Sequence, residues 1–533
     1  MRVRRSDGGA GVGGAAGRPY DWVGAWSERR AALSPDCVAL RDASTGVSYT
    51  YAELERRANR TARLLRAHGV ERDATLEPGE AGPRVAVVSR NRPELVDLFF
   101  ATGKTGGVLA PLSHRLASRE LAELLADVDP ELLVVEGPFD ELVRKALACG
   151  GCAYDSRVLG LGESGFDSFE NELPDDGSRV DTADLTMDDP HLFLHTGGST
   201  GTPKETVLTH GSIVWNSFNT ITAWGLRPED VTPMVFPMFH TGGWNVLTVP
   251  FFHLGAEVVI AREFDPEQVL ALVDERDATV LVAVPAVLRM MTQADGWADA
   301  DLDSLRFVKS GGGPCRESVM EEWWSRGVDL SQGYGLTECG PNNFAMPDGW
   351  PPEKSETVGV PAMHVDVRIV DADGNEVPAG EIGELELASP HVAAGYWHAP
   401  DETAATFGDG WVSTGDLARR DDDGYVSIEG RKKNMFVSGG ENVYPSEVEA
   451  VVSKHPKVAE VVVVPVHDEQ WGQVGKAVVE GDESLTLDEL TDFLDGKLAR
   501  FKRPRQLAFV DEMPTSGPSK IDREAVKERF GVE

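Results

Sequence analysis

The 533-residue chain is poor in cysteine, in lysine and in long apolar runs, and each shortage excludes a class of protein. Five cysteines (Cys37, Cys149, Cys152, Cys315 and Cys339) are too few and too scattered for a disulfide scaffold, and they suit a reducing cytoplasm. Cys149-Gly-Gly-Cys152 has the spacing of a zinc or redox pair. It has no second pair to complete four ligands, so it reads as a structural turn. No uninterrupted apolar stretch reaches about 18 residues, so no integral membrane segment is expected. Arg4-Arg5 leads into glycine rather than an apolar core, which argues against an export signal. Residues 1–18 read as a flexible tail, or as sequence upstream of the true start.

Positive charge is scarce as well. Lys+Arg number 51 against 88 Asp+Glu, a formal net charge of −37, and only 14 of the basic residues are lysine. That balance excludes nucleic acid as an expected partner, because phosphate contacts need a basic surface. Dense carboxylate with little lysine is the surface expected of a protein working in concentrated salt, where self-repulsion is screened. An ordinary acidic cytoplasmic enzyme is the alternative reading.

What is present is a nine-residue stretch, Thr196-Gly197-Gly198-Ser199-Thr200-Gly201-Thr202-Pro203-Lys204, behind the apolar run Leu192-Phe193-Leu194. Glycines let backbone N–H groups approach an anion, while hydroxyls and an ammonium add donors. This is chemistry suited to a triphosphate, although the spacing is not that of a Walker A loop. Around it, helical periodicity over Glu53–His68 and Arg92–Gly107 alternates with short strands at Arg84–Ser89, Val258–Ile260, Val280–Val284 and Arg306–Lys309. Such alternation predicts α/β layers on a mainly parallel sheet. Between Asp366 and Leu387 the pattern shifts to short strands and turns, a β-rich subdomain. After Gly430 come a helix at Ser446–Ser453, a strand at Val458–Val466 and a helix at Leu487–Leu498. The expected organisation is a large domain over residues 19–432 and a small α+β domain over residues 433–533.

Further motifs follow in order: Gln332-Gly333-Tyr334-Gly335-Leu336-Thr337-Glu338, Ser413-Thr414-Gly415-Asp416, Gly430-Arg431-Lys432-Lys433-Asn434, Ser438-Gly439-Gly440-Glu441 and Pro518-Ser519-Lys520-Ile521-Asp522. From about Tyr20 to the C-terminus, this ordered set resembles the acyl-adenylate-forming superfamily of acyl-CoA synthetases, adenylation domains and luciferases. The resemblance implies an ATP-dependent carboxylic acid–CoA ligase acting on a fatty or aryl acid and releasing AMP and pyrophosphate. ATP, Mg2+ and coenzyme A are the implied small-molecule partners, and the small domain is expected to swivel.

By that resemblance Lys520 swings over the α-phosphate, and Glu338 with Thr196 anchors magnesium. The loop residues Thr196 to Thr202 and Lys204 hold phosphate. Tyr334, Gly335 and Thr337 flank the nucleotide, with Tyr334 on the adenine and Gly312 and Gly313 on its other side. Asp416 accepts the ribose hydroxyls from a Thr-Gly-Asp turn, and Arg431 bonds the ribose–phosphate region. His240 gates the acid, with Trp244 and Asn245 lining its pocket. Gly439 and Gly440 open a path for pantetheine, Phe501, Arg503 and Arg505 hold the coenzyme A nucleotide, and Lys433 is the hinge. The chain departs from the common pattern at Gly197, Glu205, Ser519 and Asn434. Glu205, standing where a glycine follows Pro-Lys, sets a negative charge beside a phosphate loop and is expected to point into solvent. The rivals are a free-standing acyl-AMP ligase that loads a carrier protein and a catalytically inactive nucleotide-binding protein. Oligomeric state is not legible.

Overall fold

The computed structural model describes residues 20, 22–149, 157–196, 204–438, 441–469, 471–515 and 521–531. These form two compact units. The first gathers the described residues up to Pro347 with Pro361–Asp366 and Leu387–Val412, and the second takes Asp348–Val360, Val367–Glu386 and the described residues from Ser413 onward.

In the first unit an eight-stranded sheet carries parallel neighbours Arg84–Val88, Val108–Leu112, Leu132–Glu136 and Arg157–Leu161. Their near-continuous apolar composition suits strands covered on both faces, and Val85, Val87, Leu132 and Val134 are all buried. The Pro190–Thr196 strand joins them in parallel, then pairs antiparallel with Lys204–Thr209, beside which the short Gly395–Tyr396 strand also runs antiparallel. Two smaller sheets complete the unit. Val231–Met234, Glu257–Ile260, Val38–Asp42 and Ser48–Thr50 form one; Val280–Ala283, Phe307–Ser310 and Leu330–Gln332 form the other, which is parallel throughout. Covering helices start and stop where the chain signals it. Tyr51–Ala67 begins with a Thr50/Glu53 capping box, and Pro93–Thr105 runs from a first-turn proline to Gly106 at φ 70°.

In the second unit Asp366–Val370, Ile382–Ala388, Val412–Arg420 and Val426–Arg431 make a four-stranded sheet, the β-rich subdomain expected near these residues. The C-terminal part sets the long Val458–Asp468 and Gly472–Gly481 pair against the helices Pro445–Val452 and Leu487–Leu494, over a core of Val461, Val463, Ala477, Val479 and Leu490. The Leu487–Leu494 helix stops four residues before the expected Leu498. Asp495 turns to an extended backbone and Gly496 has φ 73°, so the helical hydrogen-bond ladder cannot continue. Among the described residues no helix is long and apolar enough to cross a membrane.

Candidate functional site

The phosphate-loop stem is a hairpin in which Thr196 pairs with Lys204 and His195 with Glu205. The Thr196 hydroxyl donates to the Lys204 carbonyl at 3.5 Å. Gly197, Gly198, Ser199, Thr200, Gly201 and Thr202 lie outside the described residues, as do Gly439, Gly440 and Lys520. The Lys204 ammonium sits 3.2 Å from the Glu402 carboxylate and 5.6 Å from the Tyr396 ring centroid. Tyr396 itself pairs with Thr206 in the adjoining strand, and its hydroxyl donates to Glu338 Oε1 at 2.8 Å. Burial, then the Glu338 charge, pushes the Tyr396 phenol far above its ordinary range, so it stays a donor. The turn Thr337–Cys339 that carries Glu338 is tied down by the Ala393 N–H, which donates to the Glu338 carbonyl at 2.8 Å. Tyr396 therefore links the loop stem to Glu338. Its sequence signal, an aromatic after Gly395 in an otherwise ordinary run, was too weak to single it out.

Glu205 overturns the expectation of a solvent-facing side chain. It is wholly buried, and neither carboxylate oxygen has a hydrogen-bond partner. The alternation of the strand explains this. Lys204 turns to Glu402 and Tyr396, so Glu205 turns to the opposite face, where Val207 joins Phe193 and Trp397 in the core. Burial, reinforced by the Asp127 carboxylate, raises the Glu205 carboxyl to about 8, so near neutrality the group is an uncharged acid. Glu205 then adds no negative charge at the loop stem.

The adenine-side residues lie on neighbouring strand ends. Gly311 continues from the Phe307–Ser310 strand, donating to the Ala283 carbonyl, and Gly333 continues from Leu330–Gln332, donating to the Ser310 carbonyl. Gly312 and Gly313 are exposed, which leaves their backbone open to a planar ligand. Tyr334 meets Phe344 edge-on at 5.8 Å. Gly335 packs so closely on Pro341 that a Cβ there would come within 2.2 Å of its backbone, so only glycine fits.

His240 is exposed, with its ring 5.9 Å from His195 and 4.5 Å from Phe239. Trp244 is fully buried and stacked on Phe99 at 5.0 Å, while Asn245 is buried with its amide nitrogen donating to Thr241 Oγ1 at 3.2 Å.

In the second unit Asp416 and Arg431 come together. They face each other across paired strands, with Arg431 Nε 2.7 Å from Asp416 Oδ1. Asp416 thus lies inside the Val412–Arg420 strand rather than in a turn, because Gly415, at φ 69°, absorbs the bend without ending the pairing. Lys433 lies in a short helical turn, its ammonium 3.0 Å from Glu524. Phe501 packs against the C-terminal core. The basic cluster beside it is divided: Lys502 pairs with Glu447, Arg503 pairs with Asp495, and Arg505 lies 4.7 Å over the Trp471 ring. Trp471 is a further aromatic of this region that sequence reading passed over.

Residues 27–397 match the AMP-binding enzyme family, and residues 447–520 match the AMP-binding enzyme C-terminal domain. The chain is 37% identical over 511 residues to a feruloyl-CoA synthase of Amycolatopsis sp, covering 96% of this chain and 99% of that one. It is 36% identical over 510 residues to the indoleacetate–CoA ligase of Aromatoleum aromaticum, covering 94% and 97%. Among solved structures, ATP-bound MatB from Rhodopseudomonas palustris superposes with a TM-score of 0.85 at 30% identity, over 95% of this chain and 99% of that one. The protein belongs to the acyl-adenylate-forming AMP-binding enzymes, as an ATP-dependent, AMP-forming acid–CoA ligase.

Proposed function

We propose that the chain activates an aromatic carboxylic acid, first as its adenylate and then as its coenzyme A thioester. The single observation that carries the site reading is the Tyr396 bridge, which holds Glu338 to the stem of the phosphate loop. The aromatic preference is supported by relatives at 37% and 36% identity whose names are those of ligases for feruloyl and indoleacetyl groups, while another at 36% is named a fatty acid–acyl-carrier-protein ligase.

The acid's carboxylate oxygen attacks the α-phosphorus of ATP and pyrophosphate leaves, so catalysis is mainly positioning and charge neutralisation. Lys204 and the loop from Thr196 to Thr202 hold the phosphates. Tyr334, Gly335, Thr337, Gly312 and Gly313 bracket the base, and Asp416 with Arg431 takes the ribose. Lys520 supplies the positive charge at the α-phosphate, and His240 closes over the acid. A magnesium ion fits Glu338 and Thr196. Their donors are all oxygen and few in number, and among the described residues no group of three His, Cys, Asp or Glu forms a cage. Magnesium usually takes one or two protein oxygens and keeps waters and phosphates. When bound, it neutralises phosphate charge.

For the second half-reaction the domain over residues 433–533 turns about Lys433, bringing Gly439 and Gly440 to the thiol's path. Phe501, Arg503 and Arg505 meet the coenzyme A nucleotide. The enzyme works in the cytoplasm, and its charge balance suits concentrated salt. A screen of carboxylic acids for pyrophosphate release, with and without coenzyme A, tests the reading. Release with aromatic acids, and a thioester only when coenzyme A is present, is expected. Release with straight-chain fatty acids alone would overturn the substrate class.

A further inference from the structure

Three strands of the first unit run out towards a single amide. The Arg84–Val88 strand of the eight-stranded sheet continues into Ser89, Arg90 and Asn91. In the four-stranded sheet, Val231–Met234 continues into Phe236 and Glu257–Ile260 into Ala261. The Asn91 side chain is 5% exposed, and its donors and its oxygen are all bonded to main chain. Its Nδ2 donates to the Phe236 carbonyl at 2.9 Å and to the Ala261 carbonyl at 3.1 Å, and its Oδ1 accepts from the Met238 N–H at 2.8 Å.

These bonds grip the turn that carries His240. Asn91 holds Phe236 and Met238 from one side. From the other, the Trp244 indole N–H donates to the Met238 carbonyl and the Gly243 N–H to the His240 carbonyl. Gly243 packs so closely that a Cβ there would come within 2.6 Å of the Pro237 carbonyl oxygen and 2.7 Å of Met238 Cα. The backbone of the turn is thus held on both sides, and the exposed His240 ring is left with side-chain rotation.

The turn stands beside the phosphate loop. The Pro190–Thr196 strand runs parallel to Arg84–Val88 in the same sheet, so Thr196 and Asn91 leave that sheet at one edge. Ligands of α/β sheets bind outside the carboxyl ends of the strands. The His240 ring is 5.9 Å from His195, the residue before Thr196. Asn91 therefore fixes the backbone from which His240 reaches towards the loop stem.

We propose that Asn91 is a positioning residue for adenylation, acting through His240 and touching neither acid nor ATP. This rests on the reading of His240 as the residue that closes over the acid. Misplacing a group by about 1 Å costs about 100-fold in rate, so a loosened turn is felt at the acid and not at the nucleotide.

A double-mutant cycle tests this. Asn91→Asp keeps the size and the acceptor oxygen and loses both donors. With 4-hydroxycinnamate, or the fastest acid of the screen above, kcat/KM for the acid in pyrophosphate release should fall about 10- to 100-fold while KM for ATP moves less than about twofold. In a His240→Ala background the same substitution should cost less than about twofold, because residues that act as one unit are not additive. Gly243→Ala displaces the turn from its other side and should give the same pattern, so the cycle can be closed even where Asn91→Asp fails to fold. A loss as large in the His240→Ala background as in the parent would overturn the proposal and make Asn91 a structural residue only. Equal losses for acid and ATP would do the same. His240→Ala at the parent rate would overturn the reading of His240, and the proposal with it. No release with any acid would overturn the ligase reading itself.

Discussion

The Tyr396 hydroxyl donates to Glu338 Oε1 across 2.8 Å, while the Lys204 ammonium lies over the same ring. One aromatic side chain thus fixes a carboxylate and a cation that belong to motifs 134 residues apart. Tyr396→Phe keeps the ring and removes only the hydroxyl. A hydrogen bond to a charged group contributes about 1.5–3 kcal/mol, so kcat/KM for ATP should fall roughly 10- to 100-fold. The apparent magnesium requirement should rise with it, and the melting temperature should hardly move. Unchanged ATP kinetics across a magnesium titration would show that Glu338 needs no such support.

Glu205 sets a pH dependence of stability. Its carboxyl has an ordinary value of 4.5 in the unfolded chain and about 8 in the folded one. Between those values the folded state binds more protons, so stability falls as pH rises through the window and levels off above about 8. The full span corresponds to roughly 5 kcal/mol. Glu205→Gln carries no charge at either end. Its melting temperature should exceed that of the parent at pH 8.5 by more than at pH 5.5. A constant difference across that range would mean that Glu205 is ionised or relieved in the folded protein.

The layered α/β order and the site motifs were legible because both rest on local signals. Helix periodicity marked Tyr51–Ala67 and Pro93–Thr105 within a residue or two. Side-chain direction at a strand end was not legible. Whether Glu205 meets water or the core depends on the Phe193–Trp397 packing, whose members come from distant parts of the chain. Tyr396 was missed for a similar reason, since its role comes from pairing with Thr206 and not from its neighbours in sequence. The Phe501–Arg505 run shows the converse. It reads as one basic patch, yet Lys502 and Arg503 are engaged by Glu447 and Asp495.

From the charge of −37 we predict a salt requirement. Raising ionic strength from 0.1 M to 1 M shortens the screening length from about 10 Å to about 3 Å, which removes most repulsion between exposed carboxylates. The melting temperature should rise steadily with potassium chloride over that range. A flat response would show that local ion pairs already offset the excess charge.

Lys433 separates a hinge from an ordinary linker. In the family reading the small domain presents Lys520 at the α-phosphorus for adenylation and Gly439-Gly440 beside the acyl carbon for thioester formation, with AMP as the leaving group, and on that reading one arrangement does not serve both steps. On that reading the chain turns about a residue between the domains. Lys433 occupies a short helical turn, and its only described ion pair, with Glu524 at 3.0 Å, is between two exposed side chains and so contributes little. Proline fixes φ near −65° and removes the N–H. Lys433→Pro should hold the domain in one arrangement, the one that suits adenylation if proline's φ matches it. Single-turnover pyrophosphate release would then persist while thioester formation falls by about two orders of magnitude or more, the scale on which misplacing a reacting group is felt. Lys520→Ala should give the mirror image: no adenylate from ATP and acid, but thioester formation from a supplied acyl-adenylate. Glu524→Gln breaks the Lys433 ion pair without restricting φ, and it should leave both half-reactions intact. If Glu524→Gln reproduced the Lys433→Pro defect, the ion pair and not backbone freedom would be the functional element. If Lys433→Pro formed thioester at the parent rate, the turning point would lie elsewhere.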